Sequence, residues 1–442
     1  MNGAARSISG SGAGVAVRPG ARAPASDEVT KVAAEVLDES GLRALDGAEW
    51  DALAASALED NPFYARQHVL AGLDTIDREA GLRALALRSG GDGQLRGLFL
   101  FQTRKFPGPG ATAAGNLYQV AGTPLVQRDH AEPVIGAWLD ALATGIVPRH
   151  WSLPHLHLGG AFMRIGDRLA AERGFAMLPV CGYRRARLRR LPGGFEEHLG
   201  TAMSKRRVKD IQRTLRRLEE CGDLQFERTR DPALVARRVH DFLRLEHAGW
   251  KGAAGTSLLA DPVHAEFARR AYGGQGAAKG LASVDSLLLD GQPIAISINI
   301  QAGSTAFTPK CAFDETYRKY SPGLVLEYLV IEAFYADDSC AEMDAATTVE
   351  GHVVQGLWND EKPMATVIVG PRGWRTAALA TLEVQREALK KRAKAALAAR
   401  PLAPVTALLQ ASRRRLQSLH GDVMITLICA THVVEGLVKV GL

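Results

Sequence analysis

The sequence predicts an α+β protein built from two similar lobes, each a mixed, largely antiparallel sheet flanked by helices. One observation is length, because 442 residues are too many for one ordinary hydrophobic core. Another is a phrase that occurs twice: Asp-Gly-Gln begins at Asp92 and again at Asp290, and each copy leads into an apolar strand. Asp-Gly is a common hairpin turn, so the repeat alone does not establish a duplication.

The first half of the chain begins with helical patterns. Residues 49–76 have helical spacing with a break at Asn61-Pro62. A Gly-rich turn then joins two strand-like runs in RALALRSGGDGQLRGLFLFQ, which predicts a hairpin. FPGPGATAAG is expected to be a loop. Helical spacing returns in EPVIGAWLDALATGIV and RIGDRLAAERGFAML, while HWSLPHLHLGG and VCGYRRARLRRLPGG have strand character.

The second half repeats this order. Apolar residues in ALVARRVHDFLRLEHAGWKG share one helical face, and Asp261 is a plausible N-cap for the next helix. LASVDSLLL, PIAISINIQ and TAFTPKCAF then predict an antiparallel meander, followed by the loop YRKYSPG, a helix and further strands. The shared order of elements favours a duplicated unit.

These patterns divide the chain into four parts. We expect a disordered arm over residues 1–40, a first lobe over 41–195 and a second lobe over 196–370. A basic helical extension is expected over 371–442. Its uncharged run, Val423 to Val434, is too short to span a bilayer and is expected to pack on the protein or lie in a membrane interface.

The composition is that of a globular protein, with 46% hydrophobic and 23% charged residues. The net charge of +6 is compatible with nucleic acid, an acidic lipid surface or a phosphate-bearing cofactor as partner. Five cysteines without a CxxC spacing argue against a disulfide framework and a structural zinc site, and they fit a reducing compartment. The first 26 residues lack the apolar segment of a secretory signal, so a cytoplasmic protein is expected.

The loop from Tyr317 to Gly323 has the composition of an anion site. It supplies two cations, a hydroxyl, a proline at the helix start and a glycine that permits close backbone approach. A helix N-terminus presents unpaired amide groups and a partial positive charge, which suit a pyrophosphate. The alternative is a capped helix with Arg318 and Lys319 in solvent.

Three stretches together carry a resemblance to a known family: FLRLEHAGWKGAAGTSLL, FDETYRKYSPGLVL and the Asp-Gly-Gln meander. The chain resembles GNAT-type N-acyltransferases of the CelD/FemAB-like group, whose members are similar to two fused GNAT folds. The resemblance extends over residues 47–370 and is strongest over 202–358. It implies two tandem GNAT-like lobes and transfer of an acyl group from a thioester, usually acyl-CoA, to an amine.

The resemblance also implies a donor site. In the GNAT family a loop with the pattern Arg/Gln-x-x-Gly-x-Gly/Ala binds the CoA pyrophosphate through backbone amides. The matching positions here are Arg318, Lys319, Tyr320, Ser321 and Gly323, with Ser321 where the first glycine usually stands. The FemAB branch implies aminoacyl-tRNA as donor instead, and neither donor requires a metal.

The chemistry needs a proton acceptor for the amine, donors for the thioester oxygen and an acid for the thiolate. Glu246, at the end of an apolar helix, is the candidate base, and a solvated glutamate is its alternative. Lys310 is expected near the acyl group, or facing outward. Tyr317 is a candidate acid or a packed aromatic. Asp344 and His352 are candidates for the acceptor pocket, although a lone histidine is more often structural.

The stretch MSKRRVKDIQRTLRR places several Lys and Arg residues on one side of a helix. It could bind RNA, the phosphates of CoA or an anionic membrane, or be a solvated helix. We expect a cytoplasmic acyl-CoA-dependent N-acyltransferase, peripheral to the inner membrane face or free of it. Its acceptor would be a small or lipid-linked amine of a sugar, lipid or amino-acid precursor for envelope or exopolysaccharide synthesis. The alternatives are an aminoacyl-tRNA-dependent transferase, with tRNA as partner, and a non-catalytic nucleic-acid or membrane-binding protein.

Overall fold

The computed structural model describes residues 32–104, 110–113, 116–274, 282–347 and 353–398, with side chains as far as residue 393. Residues 1–31, His352 and the apolar C-terminal run therefore lie outside the described residues. Within the described ranges, no helix has the length and apolar character needed to cross a bilayer.

The described strands form one continuous sheet and are numbered in chain order. They are β1 (Val32–Leu37), β2 (Leu82–Ser89), β3 (Leu95–Arg104), β4 (Gly110–Ala113), β5 (Leu125–Val126), β6 (Trp151–His157), β7 (Phe175–Arg189), β8 (Leu224–Thr229), β9 (Ala282–Leu289), β10 (Gln292–Ala302), β11 (Thr305–Phe313), β12 (Glu342–Asp344) and β13 (Asp360–Pro371).

The described α-helices are numbered in the same way. They are α1 (Glu39–Ala44), α2 (Gly47–Ala55), α3 (Arg66–Asp74), α4 (Ala131–Thr144), α5 (Ala161–Glu172), α6 (Gly194–Ala202), α7 (Lys205–Glu219), α8 (Pro232–Ala248), α9 (Trp250–Ala253), α10 (Pro262–Tyr272), α11 (Pro322–Ala336) and α12 (Trp374–Ala398).

Two halves of the sheet have the same topology. The order β1-β2-β3-β4-β6 in the first half matches β8-β9-β10-β11-β12 in the second. In each half the first three pairs are antiparallel and the last pair is parallel. The predicted α+β class with two similar, largely antiparallel lobes is therefore confirmed.

The repeated Asp-Gly-Gln phrase occupies equivalent hairpins, β2–β3 and β9–β10, but the two turns differ. Asp290 and Gly291 both have positive φ values, 50° and 75°, which identifies a tight two-residue turn of type I′. The first hairpin has a longer loop, closed by a hydrogen bond from the Ser89 backbone N–H to the Gln94 carbonyl. In this loop Gly93 has a positive φ value and Asp92 does not. The phrase marks the same place in both lobes without fixing one turn geometry.

The sheet includes two strands that were not expected. β1 lies within the stretch predicted to be a disordered arm, where it pairs antiparallel with β2 along the edge of the sheet. β4 lies within the predicted loop FPGPGATAAG. The Gly-Ala-Thr-Ala sequence of β4 has weak strand propensity, and pairing with β3 on one side and β6 on the other stabilises it.

The halves are joined through β7 and β13. β13 belongs to the range expected for the second lobe, yet it lies between β6 and β7 of the first. The C-terminal end of β7 pairs with β12, so the sheet runs without a break from one lobe to the other. Apolar residues from both lobes also share one core cluster, in which Phe63 makes an edge contact with Phe307. This continuity fixes the surfaces between the lobes relative to each other.

Candidate functional site

The loop before α11 has a backbone conformation that normally favours glycine. Ser321 precedes the helix with φ 47° and ψ 55°, in the left-handed region. For a residue with a Cβ this conformation costs about 1 kcal/mol. Ser321 thus adopts a left-handed conformation at the position where the family pattern has its first glycine. The serine at this position is therefore compatible with the turn.

The N-terminus of α11 is open on the side of this loop. The Ser321 side chain makes no capping hydrogen bond to any described residue. Arg318 and Lys319, in the 3₁₀ turn Glu315–Tyr320, are exposed. A Cβ added to Gly323 would meet Phe313 at 3.4 Å, an ordinary contact, so packing does not require glycine there. The amides of Ser321 and Leu324 already donate to backbone carbonyls and Pro322 has no N–H, so this helix end offers a phosphate anion the Gly323 amide and two cations.

The strands β11 and β12 separate beside this loop. Their parallel pairing joins Thr305–Phe307 to Glu342–Asp344. β11 then continues to Phe313, whereas β12 ends at Asp344. Among the described strands, none pairs with β11 beyond Phe307 on the β12 side, which makes this edge a candidate ligand-binding edge between the predicted anion site and the centre of the sheet.

Lys310 lies on the diverging part of β11. Its ammonium is 4.5 Å from the ring centroid of Tyr118, which belongs to the first lobe. Burial lowers the pKa of Lys310 to about 8, with Lys251 acting in the same direction and Glu246 against it. The side chain therefore points into the interlobe region and not outward, and near neutral pH it is a cation that gives up its proton readily.

Glu246 is buried near Lys310 but is already bonded. One carboxylate oxygen accepts from Lys251 Nζ at 2.8 Å, and the other accepts from the Leu258 backbone N–H at 2.8 Å. These bonds hold Lys251 and the segment after α9 in position. A carboxylate with both oxygens engaged is better suited to shaping the site than to taking a proton from the amine.

Tyr317 lies apart from Lys310. It packs against the core cluster on the α11 side of the sheet, whereas Tyr118, which contacts Lys310, belongs to the cluster shared by both lobes. Tyr317 therefore lies with the loop before α11, on the other side of the sheet from Lys310, and its role as the acid stays a prediction. His352 lies outside the described residues and stays a prediction.

Asp344 lines a polar pocket of about 290 Å³ between the lobes. The pocket lies beside the paired segment of β11 and β12, which contributes Thr305, Phe307, Glu342 and Asp344, and it reaches the last pair, Phe307 and Asp344, before the strands part. The remaining lining residues are Leu58, Glu59, Asp60, Ala121, Thr123, His155, His157, Gly160, Ala161, Arg185, Arg187, Lys362 and Met364.

A chain of ion pairs crosses the floor of the pocket. Asp344 lies 3.1 Å from Lys362 Nζ and 3.6 Å from Arg185 Nη1, and both the Arg185 and Asp344 side chains are almost fully buried. Burial opposes ionisation of Asp344, but Arg185 and Lys362 outweigh it and lower the pKa. Lys362 also binds Glu342 at 2.6 Å. Asp344 is therefore an anion near neutral pH that holds two buried cations in place. Its lowered pKa makes it a weak base.

The side of the pocket formed by the first lobe carries two histidines and a glutamate whose shifted pKa values favour the uncharged forms. Burial lowers the pKa values of His155 and His157 to about 4, so both imidazoles are uncharged near neutral pH. Burial raises the pKa of Glu59, which accepts a hydrogen bond from the Phe162 amide at the start of α5. A carboxylate with a raised pKa is a better proton acceptor than one held by two cations.

Sequence reasoning missed most of this pocket, although a signal was present. His155 and His157 alternate along a strand expected to be buried, and Arg185 and Arg187 do the same in β7. Residues two apart in a strand share one face, so each pair marks a polar patch on an otherwise apolar sheet. No comparable pattern singles out Glu59. The described residues contain no group of His, Cys, Asp and Glu side chains arranged to hold a metal ion.

Comparisons with known proteins agree with this architecture. The family model for the acetyltransferase (GNAT) domain matches residues 204–352. The solved structure of FemX shares 11% identity, covers 73% of this chain and 96% of its own, and superposes with a TM-score of 0.50. Among curated protein sequences, no relative matches this chain.

Two further solved structures are similar at lower TM-scores. A tandem GNAT protein from the clavulanic acid biosynthesis pathway shares 14% identity, with 77% of this chain and 99% of that chain covered and a TM-score of 0.37. A C-terminal domain assigned to a lysylphosphatidylglycerol synthetase of Agrobacterium fabrum shares 12% identity, with coverage of 77% and 96% and a TM-score of 0.47.

Proposed function

We propose that this protein is an acyl-CoA-dependent N-acyltransferase, because residues 204–352 match the acetyltransferase (GNAT) domain model and the fold is similar to that of FemX. The proposed acceptor is a small or lipid-linked amine of a sugar, lipid or amino-acid precursor for the cell envelope or exopolysaccharide. The observation that best supports acyl transfer is the pocket that reaches the last pair of β11 and β12 before they diverge, since a donor lying along β11 would deliver its thioester there.

In this proposal the donor diphosphate binds at the N-terminus of α11. The Gly323 backbone N–H supplies a hydrogen bond, since Pro322 has no N–H and the Ser321 N–H donates to the Arg318 carbonyl, and Arg318 and Lys319 neutralise charge from the exposed side. Tyr320 contacts one of these cations, because its ring centroid lies 4.8 Å from Lys319 Nζ. The pantetheine arm would then run along the diverging edge of β11.

The acceptor amine binds in the interlobe pocket. Asp344 and the cations it holds fix the polar groups of the acceptor, and Glu59 takes the proton from the ammonium. The amine nitrogen attacks the thioester carbon, the carbon–sulfur bond breaks, and the amide forms as the nitrogen passes its second proton to His157. The uncharged imidazole of His157 is available as a hydrogen-bond acceptor for the same nitrogen.

Lys310 stabilises negative charge on the thioester oxygen and on the departing sulfur. A pKa of about 8 lies near that of a thiol, so proton transfer from the ammonium to the thiolate is close to balanced. Tyr317 is the alternative proton donor from the loop side of the sheet. Glu246 supports Lys310 by anchoring Lys251, and His352 would join the acceptor side.

A cytoplasmic location is part of the proposal. The described cysteines, Cys181, Cys221, Cys311 and Cys340, are all free thiols, which suits a reducing compartment. An aminoacyl-tRNA donor is the alternative within the same fold, and the exposed cations of α7 are the observation that favours it.

Ligand-induced thermal stabilisation tests the donor assignment. We expect CoA and acyl-CoAs to raise the melting temperature of the wild-type protein and tRNA to leave it unchanged. Gly323→Ala should fold normally but lose the CoA-dependent shift, because its methyl group blocks the diphosphate. Gly200→Ala is the matched control, since a Cβ at Gly200 meets nothing within 4 Å. Equal shifts in both variants would contradict the loop assignment, and a shift with tRNA alone would favour the alternative donor.

A further inference from the structure

A strongly basic surface lies outside the proposed site and takes no part in its chemistry. We define the basic surface as the exposed side of α7 together with Trp250. Its exposed cations are Lys205, Arg206, Arg207, Lys209, Arg213, Arg216 and Arg217.

The acidic residues of α7 neutralise only part of this charge. Asp210 pairs with Arg206 at 4.0 Å and with Arg213 at 3.1 Å. Glu219 lies in the last turn of the helix, beyond most of the cations. Lys205, Lys209 and Arg216 line a shallow open depression on the helix. The basic surface is therefore a stripe of positive charge about 20 Å long, from a rise of about 1.5 Å per residue.

The apolar side of α7 is already occupied. Ile211 and Leu218 are buried in the core cluster that includes α11, and Val208 and Leu215 pack against it. The exposed side of the helix has no apolar residue among those described. A protein partner would need an apolar contact core, and single-stranded nucleic acid would need aromatic side chains for stacking, so neither fits this helix well.

An exposed indole is connected to the C-terminal end of α7 through the 3₁₀ turn Glu315–Tyr320. Trp250 is 57% exposed, and its backbone N–H donates to Glu315 of the 3₁₀ turn at 2.9 Å. The same 3₁₀ turn also contacts α7, because the Arg217 guanidinium of α7 lies 5.9 Å from the ring centroid of Tyr320. Tryptophan beside Lys and Arg residues is the combination found at the interfacial region of bilayers.

We propose that the basic surface docks this protein on an anionic lipid bilayer, with Trp250 as the interfacial anchor. The cations are attracted to anionic headgroups, and each contributes about a fivefold gain in affinity. The indole enters the headgroup region beside them. Docking is independent of the acyl donor and would bring the enzyme to lipid-linked acceptors.

Vesicle co-sedimentation tests the proposal. The full chain should bind vesicles of phosphatidylcholine mixed with phosphatidylglycerol, should not bind phosphatidylcholine alone, and should be released by high salt. Replacing Lys205, Lys209 and Arg216 by alanine should weaken binding roughly 100-fold, from about fivefold per cation. The control replaces Arg83 and Arg149, exposed cations of the first lobe, and should bind as the wild type does.

Tryptophan quenching separates docking from charge attraction alone. Brominated lipids should quench the emission of Trp250, so Trp250→Phe should lose the quenching. Trp374→Phe should keep it, because Trp374 is exposed on α12, away from the basic surface. Equal binding by the alanine variant and its control would overturn the proposal, as would binding to RNA duplexes without binding to vesicles. Transfer to a water-soluble amine should be unchanged in the alanine variant, so loss of docking is distinguishable from failure of the acyltransferase assignment.

Discussion

His68 should make this protein sensitive to acid. The imidazole is buried between Phe63 and Phe267, with both ring centroids 5.3 Å away, and neither ring nitrogen has a hydrogen-bond partner among the described residues. Burial lowers the pKa of His68 to about 3, against 6.5 in an unfolded chain. The unfolded state therefore binds a proton between these values that the folded state does not bind. Stability falls as the pH falls from about 6.5 toward 3.

The substitution His68→Leu removes this titration and the unbonded polar atoms. At pH 7 the variant should be more stable by about 1–3 kcal/mol, the cost of burying an unsatisfied polar group. Because each pKa unit is worth about 1.4 kcal/mol, the advantage should grow by about 2 kcal/mol between pH 7 and pH 5. Urea unfolding followed by tryptophan fluorescence measures both differences. The control is His240→Leu, at an exposed position on α8. An advantage of His68→Leu that is the same at both pH values would refute the reasoning.

Three further outcomes follow from the site. Asp344→Asn should destabilise the protein by about 3 kcal/mol in urea unfolding, since it leaves Lys362 and Arg185 buried without their counter-charge; a change as small as that of the exposed control Glu361→Gln would contradict the network. Lys310→Arg should retain transfer activity above pH 8, where the wild type declines as its ammonium loses the proton; identical pH–rate profiles would exclude Lys310 from the reaction. Ser321→Gly should raise stability by about 1 kcal/mol and keep acyl-CoA binding, because glycine accepts positive φ without strain; weaker binding would mean that the hydroxyl, and not the turn, is what the donor needs.

Local patterns predicted the parts of the fold that depend on neighbouring residues. The hairpins at Asp92 and Asp290, the three-strand meander and the helix after it follow from turn residues and strand-length apolar runs. The loop before α11 was found for the same reason, because its residues are consecutive in sequence.

The interlobe pocket could not be found in this way, because its residues come from distant elements. Glu59, His157, Arg185, Asp344 and Lys362 meet only after β13 has inserted between β6 and β7. That insertion is a long-range pairing without a local signal. The strand β4 was missed for a related reason, since its stability comes from its neighbours and not from its own residues.

Hydrogen–deuterium exchange with and without acetyl-CoA tests the proposed donor site most directly. The account predicts that acetyl-CoA slows exchange at the amide of Gly323 and along the diverging edge of β11. The start of α4, which follows β4 in the first lobe as α11 follows β11 in the second, is the internal reference and should not change. Protection at α4 instead, or none at the start of α11, would contradict the account.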